Sequence, residues 1–339
     1  MGFTFYSPIT INAGQVPSPQ SDFPMLISYT DDRFKTTGGH VSNANGYDIR
    51  PYSDIGLTKP LTYELERYNA STGEVIMWVR RSYLSDGVVT YLGYGDSTIT
   101  TDGSSAATWC NSFGRVYHLR DGVTLSLVDS TGNPNLTNTS GVTAGTGKID
   151  GAASFVRASN QHLDGNAFAP TALTYSCWIN ATTLAGAYQA TMFQTNGGLT
   201  RFIGMEVKST GKMRWSLSCT TQIDKDGTGS NTLLTGTWYY IVMTYNSTAG
   251  LIGYVNGSSD NTNAANGNAD TSVTALSIGV EAGFSANYWN GLIDEVRMAS
   301  VARSQDWVTA EYNNQSAPST FATLGTESAF TPMSGLFTK

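Results

Sequence analysis

The stretch YWNGLIDEVRMASVARS, residues 288–304, decides how this chain is read. Its middle, GLIDEVRMA, has the composition of a β-strand, yet it carries two adjacent carboxylates, Asp294 and Glu295, with a short basic segment behind them. Paired acids in a β-protein serve glycoside hydrolysis, hold a metal, or do neither. Directly after the strand comes the one convincing helix of the sequence, about residues 304–312. Ser304 stands as its N-cap, and Trp307, Val308, Glu311 and Tyr312 recur at three- and four-residue spacings.

Outward from this stretch, strand-like runs dominate in both directions. FPMLISY, LTYELERY, EVIMWVRRSYL and VVTYLGYG come early; LTYSCWINA, FIGMEVKS, KMRWSLSC, TWYYIVMTYN, LIGYVNG and ALSIGV follow later. They are short, rich in β-branched and aromatic residues, and separated by Gly, Asn, Asp or Ser clusters, and several alternate apolar with polar at period two. Strands at this spacing predict an all-β protein built of sandwiches. A chain of 339 residues has room for two domains, each burying its own core. The expected division is an N-terminal β-sandwich over 1–115, a second sandwich over 116–316, and a C-terminal arm over 317–339. The arm holds two prolines and no clear period, but retains Phe321, Leu324, Phe330, Leu336 and Phe337. A solvated tail would carry fewer apolar residues, so these five are expected to dock on their own domain or on a neighbour.

Composition narrows the function classes. Charged residues make up 13% of the chain, against roughly 25% in an average soluble domain, so Ser, Thr, Asn and Gly must supply the polar surface. That pattern suits extracellular and particle-surface β-proteins. A net charge of -7 without a stripe of Lys and Arg argues against nucleic acid. No apolar run is long enough to span a bilayer, and MGFTFYSPITINAG lacks the basic and apolar regions of a signal peptide, so neither membrane insertion nor export is expected. Cys110, Cys177 and Cys219 are odd in number and lack C-x-x-C spacing, which disfavours disulfides and zinc; Cys177 and Cys219 read as buried apolar residues.

Other catalytic signals fail. His40, His118 and His162 belong to no H-E-x-x-H, and there is no G-x-S-x-G. Glu64 and Glu66 alternate on LTYELERY and read as the solvated face of a half-buried strand. DKDGTG, with Asp224 and Asp226, lacks the remaining ligands of an EF-hand and reads as an Asp-Gly hairpin turn.

From about Val116 to Gln315 the chain resembles the laminin-G-like, concanavalin A-type jelly-roll module. The resemblance is carried by GAASFVRASNQHL, LTYSCWINA, TGTWYYIVMTYNSTAGLIGYVNG, LSIGVEAGF and NGLIDEVRMASVARSQDWVTAEYNNQ, in that order. Residues 4 to about 114 are similar, through FYSPITI, SDFPMLIS, NGYDIRPY, LTYELERYN and MWVRRSYL, to a less characterised all-β domain that precedes such modules in bacterial surface and phage virion proteins. The implied fold is an N-terminal β-sandwich followed by a concanavalin A-like jelly roll.

The resemblance also bears on the paired acids. Glucanases of this fold carry E-x-D-x-x-E on one strand, a motif absent here. Retaining hydrolysis needs carboxyls about 5–5.5 Å apart, whereas neighbours on a regular strand point to opposite faces, so no enzyme is expected. In relatives an Asp on the closing strand often holds calcium with an acid from the first strand or loop. Asp294 with Asp129, and Asn133 nearby, would be that set. The alternative is that Asp294 accepts hydrogen bonds from loop N–H groups and Glu295 pairs with Arg297 or Arg303 on the surface. Trp78, Trp178 and Trp238 read as core, while Trp215 and the cluster Phe284, Tyr288 and Trp289 are the candidates for a glycan surface.

The expected function is that of a non-enzymatic virion surface protein, a phage capsid decoration or minor structural protein. It would be made in the host cytoplasm, carried beside other virion structural proteins, and present its jelly roll to a host surface glycan; a homo-oligomer is compatible with this. The alternative is a tail or bacterial cell-surface adhesin, and a secreted glycan-active enzyme comes third.

Overall fold

A computed structural model describes residues 2–120, 124–197, 200–221, 225–265, 267–281 and 287–331. The chain divides into two compact units, residues 1–110 together with 313–339, and residues 111–312.

The first unit contains β1 (Phe5–Ile11), β2 (Phe23–Thr30), β3 (Arg50–Tyr52), β4 (Tyr63–Asn69), β5 (Glu74–Arg81) and β6 (Val89–Tyr94). β2 and β5 read FPMLISYT and EVIMWVRR, apolar runs that do not alternate, because both faces of these strands are buried in the sheet β2-β5-β4. The acids of β4 are not a solvated pair. A bulge between Leu65 and Arg67 breaks the alternation, and each carboxylate accepts an indole N–H, Glu66 from Trp78 and Glu64 from Trp109, both at 2.6 Å. Burying a tryptophan leaves its N–H in need of an acceptor.

The second unit contains β7 (Phe113–Tyr117), β8 (Thr143–Thr146), β9 (Gly151–Phe155), β10 (Leu163–Asn166), β11 (Leu173–Ala181), β12 (Tyr188–Thr195), β13 (Phe202–Lys208), β14 (Met213–Leu217), β15 (Lys225–Thr228), β16 (Trp238–Asn246), β17 (Gly250–Val255), β18 (Ser258–Asn263), β19 (Ala275–Ile278) and β20 (Gly291–Ala299). One sheet runs β10-β19-β12-β13-β14-β15; the other runs β18-β17-β16-β11-β20-β9-β8, with β7 also on β20. Their facing sides enclose one core that includes Tyr175, Cys177, Met205, Trp215, Ile241, Met243, Trp289 and Ile293. Trp215 reaches across to Gly253 of β17, where a Cβ would lie 2.3 Å from the ring, so only glycine admits it. Asp226 and Gly227 lie inside β15 and do not form the expected hairpin turn.

After β20 the chain forms α1 (Gln305–Ser316), capped as expected by Ser304, whose Oγ accepts from Trp307 N at 3.2 Å. Val308 and Tyr312 of α1 cover Trp178, Tyr240, Val242 and Tyr254 on the outer side of the larger sheet.

The C-terminal segment is not a separate arm. It continues as α2 (Pro318–Phe321), β21 (Ala322–Leu324) and β22 (Ser328–Ala329), and both strands pair with β1. Phe321 is fully buried, Leu324 lies opposite Ile9, and the Phe330 ring meets Tyr6 edge-on at 6.3 Å. Arg33 donates to Gly325 O at 2.7 Å, and the Tyr94 hydroxyl donates to Glu327 at 2.8 Å. Asn314 holds both backbone groups of Leu26, accepting from its N–H at 2.6 Å and donating to its carbonyl at 2.9 Å. The expected docking therefore occurs within the first unit, where the returning chain covers the open edge of β1. Leu336 and Phe337 lie outside the described residues.

Candidate functional site

On the closing strand, one edge of β20 pairs with β11 on both sides of a register shift, and the other is shared: β9 takes Gly291–Ile293 and β7 takes Val296–Ala299. Asp294 and Glu295 fall in the gap. Between Ser176 and Trp178 the register shifts, and Glu295 adopts φ 53°, a left-handed conformation uncommon for a residue with a side chain. The strict alternation assumed from the sequence therefore fails here.

Both acids are fully buried. Asp294 Oδ2 accepts from Lys148 N at 2.8 Å and Ile149 N at 2.9 Å, fastening the β8–β9 turn. Glu295 Oε1 meets His118 Nδ1 at 2.7 Å, and its Oε2 accepts from Arg297 at 2.5 Å. Arg297 in turn reaches Glu311 of α1 at 3.0 Å. Burial alone would raise the Glu295 carboxyl, but His118 and Arg297 hold it below the usual carboxylate range. The pair with Arg297 thus forms as expected from the sequence, but in the interior and not on the surface.

The calcium set is not assembled. Asp129 Oδ1 accepts from Val116 N at 3.1 Å, Thr131 N at 2.9 Å and Thr131 Oγ1 at 2.7 Å. Asn133 donates to Gly114 O at 3.2 Å and Thr131 Oγ1 at 2.9 Å. Val116 lies opposite Arg297, whereas Asp294 lies opposite Trp178. Asp129 and Asn133 brace one turn through Thr131, whereas Asp294 fastens the β8–β9 turn.

Two of the glycan candidates are displaced by packing. Trp215 and Trp289 are completely buried in the core between the sheets. Tyr288 is half-exposed, 6.1 Å from the His162 ring, and Phe284 lies outside the described residues.

The alternation that buries Trp215 turns its neighbour Arg214 to the outer face of the smaller sheet, where a different cluster assembles. Arg214 lies opposite Glu206 on β13 and Thr228 on β15. Its guanidinium donates to Glu206 at 2.7 Å and Asp226 at 3.1 Å, and sits 5.0 Å from the centre of the Tyr188 ring. Lys208, opposite Tyr188, places its Nζ 5.9 Å from the same ring and donates to Thr228 Oγ1 at 2.6 Å. Tyr188, Lys208 and Arg214 are half-buried and Asp226 and Thr228 exposed, so the group faces solvent at its rim.

Behind it the floor is small and apolar: Gly204, where a Cβ would lie 2.5 Å from Phe193, together with Ala190 and the stacked pair Phe193 and Phe202. Glu206 is wholly buried at the base. Burial pushes its carboxyl up to about 7, with Arg214 opposing and Glu281 adding to the rise. The rim offers an aromatic ring, two cations, a carboxylate and a hydroxyl, a donor and acceptor set matched to a polyhydroxylated ring. FIGMEVKS and KMRWSLSC hold the signal for this cluster: once Met205, Val207, Met213 and Trp215 are assigned inward, Glu206 and Arg214 must face out.

Two facing antiparallel sheets around one core make the second unit a jelly-roll module. Residues 150–309 match a family model of laminin G type, described as the concanavalin A-like lectin/glucanases superfamily, as the sequence resemblance implied. Among curated proteins none matches. Similar solved structures include domain 4 of AbnA, a GH43 extracellular arabinanase from Geobacillus stearothermophilus, in complex with arabinotriose; it is 19% identical, with TM-score 0.48, over 58% of this chain and 97% of that one. The binding domain of Paraclostridial Mosquitocidal Protein 1 is 16% identical, with TM-score 0.48, over 59% of this chain and 52% of that one. The botulinum neurotoxin serotype G binding domain is 13% identical, with TM-score 0.47, over 58% of this chain and 50% of that one. The chain thus spans about half the length of these two toxin domains.

Proposed function

We propose that this protein is a non-catalytic glycan-binding protein whose jelly roll presents Tyr188, Lys208, Arg214, Asp226 and Thr228 to a sugar. The observation that carries the reading is the Tyr188 ring beside two cations, 5.0 Å from Arg214 and 5.9 Å from Lys208, on the outer face of the smaller sheet. The paired acids of the closing strand support binding over hydrolysis, since both are buried and engaged.

The test is a glycan array with the intact protein, followed by calorimetry on the best ligand with wild type and Tyr188→Ala. A loss of at least tenfold, about 1.4 kcal/mol, at unchanged melting temperature is expected. Retention of no glycan, or equal affinity in both proteins, would remove the reading.

The finer placement is on the surface of a virus particle, beside other structural proteins, with synthesis in the host cytoplasm. Its support is compositional: a surface rich in Ser, Thr, Asn and Gly, and three cysteines that are all free thiols.

A further inference from the structure

A cleft of about 370 Å³ opens on the first unit between Arg50, Pro51, Tyr52, Pro60, Leu61, Tyr63, Ile99 and Gly103. Its volume falls within the roughly 300–1,000 Å³ of small-ligand sites. The walls are apolar: Pro60 is exposed, Leu61 and Ile99 are half-buried, and Tyr52 and Tyr63 are buried.

One charge lies among them. Arg50 is half-buried, its guanidinium 5.3 Å from the centre of the Tyr63 ring. It donates to the Tyr63 hydroxyl and, at 2.8 Å, to Thr101 O. A guanidinium has five N–H donors, so donors remain. Gly103 leaves it room, since a Cβ there would lie 1.3 Å from Nη1.

The nearby carboxylates are occupied by their own turns. Asp54 accepts from Thr58 N and Lys59 N, Asp96 from Gly2 N and Thr98 N, and Asp102 from Ser104 N. Among the described residues Arg50 has no ion-pair partner, unlike Arg33, Arg80, Arg214 and Arg297.

A forked cation without a counter-ion, set in a small cleft of proline and tyrosine walls, calls for a planar oxyanion joined to a ring with an apolar face. We infer that this cleft is a second ligand site, distinct from the jelly-roll patch, and that it takes an acidic sugar unit, its carboxylate on Arg50 and its ring against Pro60, Leu61 and Ile99. A bare anion would leave those walls unused.

The test titrates the intact protein with methyl β-D-glucuronide, methyl β-D-glucoside and inorganic phosphate by calorimetry or ligand-observed NMR. The glucuronide is expected to bind at least tenfold more tightly than either of the others. Arg50→Gln should weaken it at least tenfold, and so should Leu61→Glu, which places a like charge on the wall while keeping Arg50. Glucuronide affinity unchanged in both folded variants would overturn the site, as would equal binding of the glucoside. Phosphate binding as tight as the glucuronide would overturn the sugar assignment and leave an anion site only.

Discussion

Glu206 lies beneath the proposed glycan surface with no exposure of its own and with Arg214 as its partner. Its carboxyl is pushed up from 4.5 to about 7, first by burial. Because the folded-state value is the higher one, the unfolded chain loses its proton first as pH rises. The stability this group contributes is therefore complete below about 4.5 and is lost as pH climbs to about 7. Glu206→Gln should remove that loss. In urea unfolding, the variant is expected to gain on wild type between pH 4.5 and pH 7.5, by on the order of 2 kcal/mol. A pH-independent difference would mean that the carboxyl titrates alike in the folded and unfolded chain. At the same scale, Asp294 and Glu295 show how far a pair of letters can be read. Missing acid motifs exclude a known hydrolytic arrangement, but the φ of 53° at Glu295, which decides where its side chain goes, falls where the register with β11 shifts and has no local signature.

At the level of elements, the C-terminal segment changes most between sequence and structure. Its apolar residues are legible as a need for burial, and Phe321 meets that need inside the first unit. The partner strand, β1, lies more than 300 residues away in sequence, with register Ile9 to Leu324, and no local pattern specifies such a pairing. Deleting residues 318–339 should therefore destabilise the first unit by at least about 3 kcal/mol, the scale of losing a buried phenylalanine. In hydrogen exchange, β1 amides should lose protection while those of β16 keep theirs. Unchanged protection across Phe5–Ile11 would show that the returning strands contribute little, and would restore the view of this segment as an arm free to dock elsewhere. The helix behaves differently: α1 was readable from Ser304 and the spacing behind it, because capping and amphipathic spacing are local.

For the whole molecule, two units with separate candidate surfaces suit a protein that is displayed. The proposed placement on a virus particle predicts that particles purified from the source culture contain this chain in fixed proportion to the major shell protein. Tens to hundreds of copies per particle would mean shell decoration, and a handful would mean a tail adhesin. Recovery in the cell envelope or medium alone would move the protein to a bacterial surface with the same glycan site.

By itself the sequence determined the class of the molecule. Period-two runs and turn clusters dictate strands, and their order carries the jelly-roll resemblance. These are local or compositional properties, present before the chain folds. Only the tertiary structure decided which aromatic residues remain available. Trp215 looked like a surface ring, yet it crosses to Gly253 in the opposite sheet, and Trp289 closes the same core. A strand's alternation fixes two faces but does not say which of them another sheet will cover. That choice rests on contacts between residues far apart in sequence, and it is what leaves Arg214 with Tyr188, and Arg50 with its cleft, at the surface.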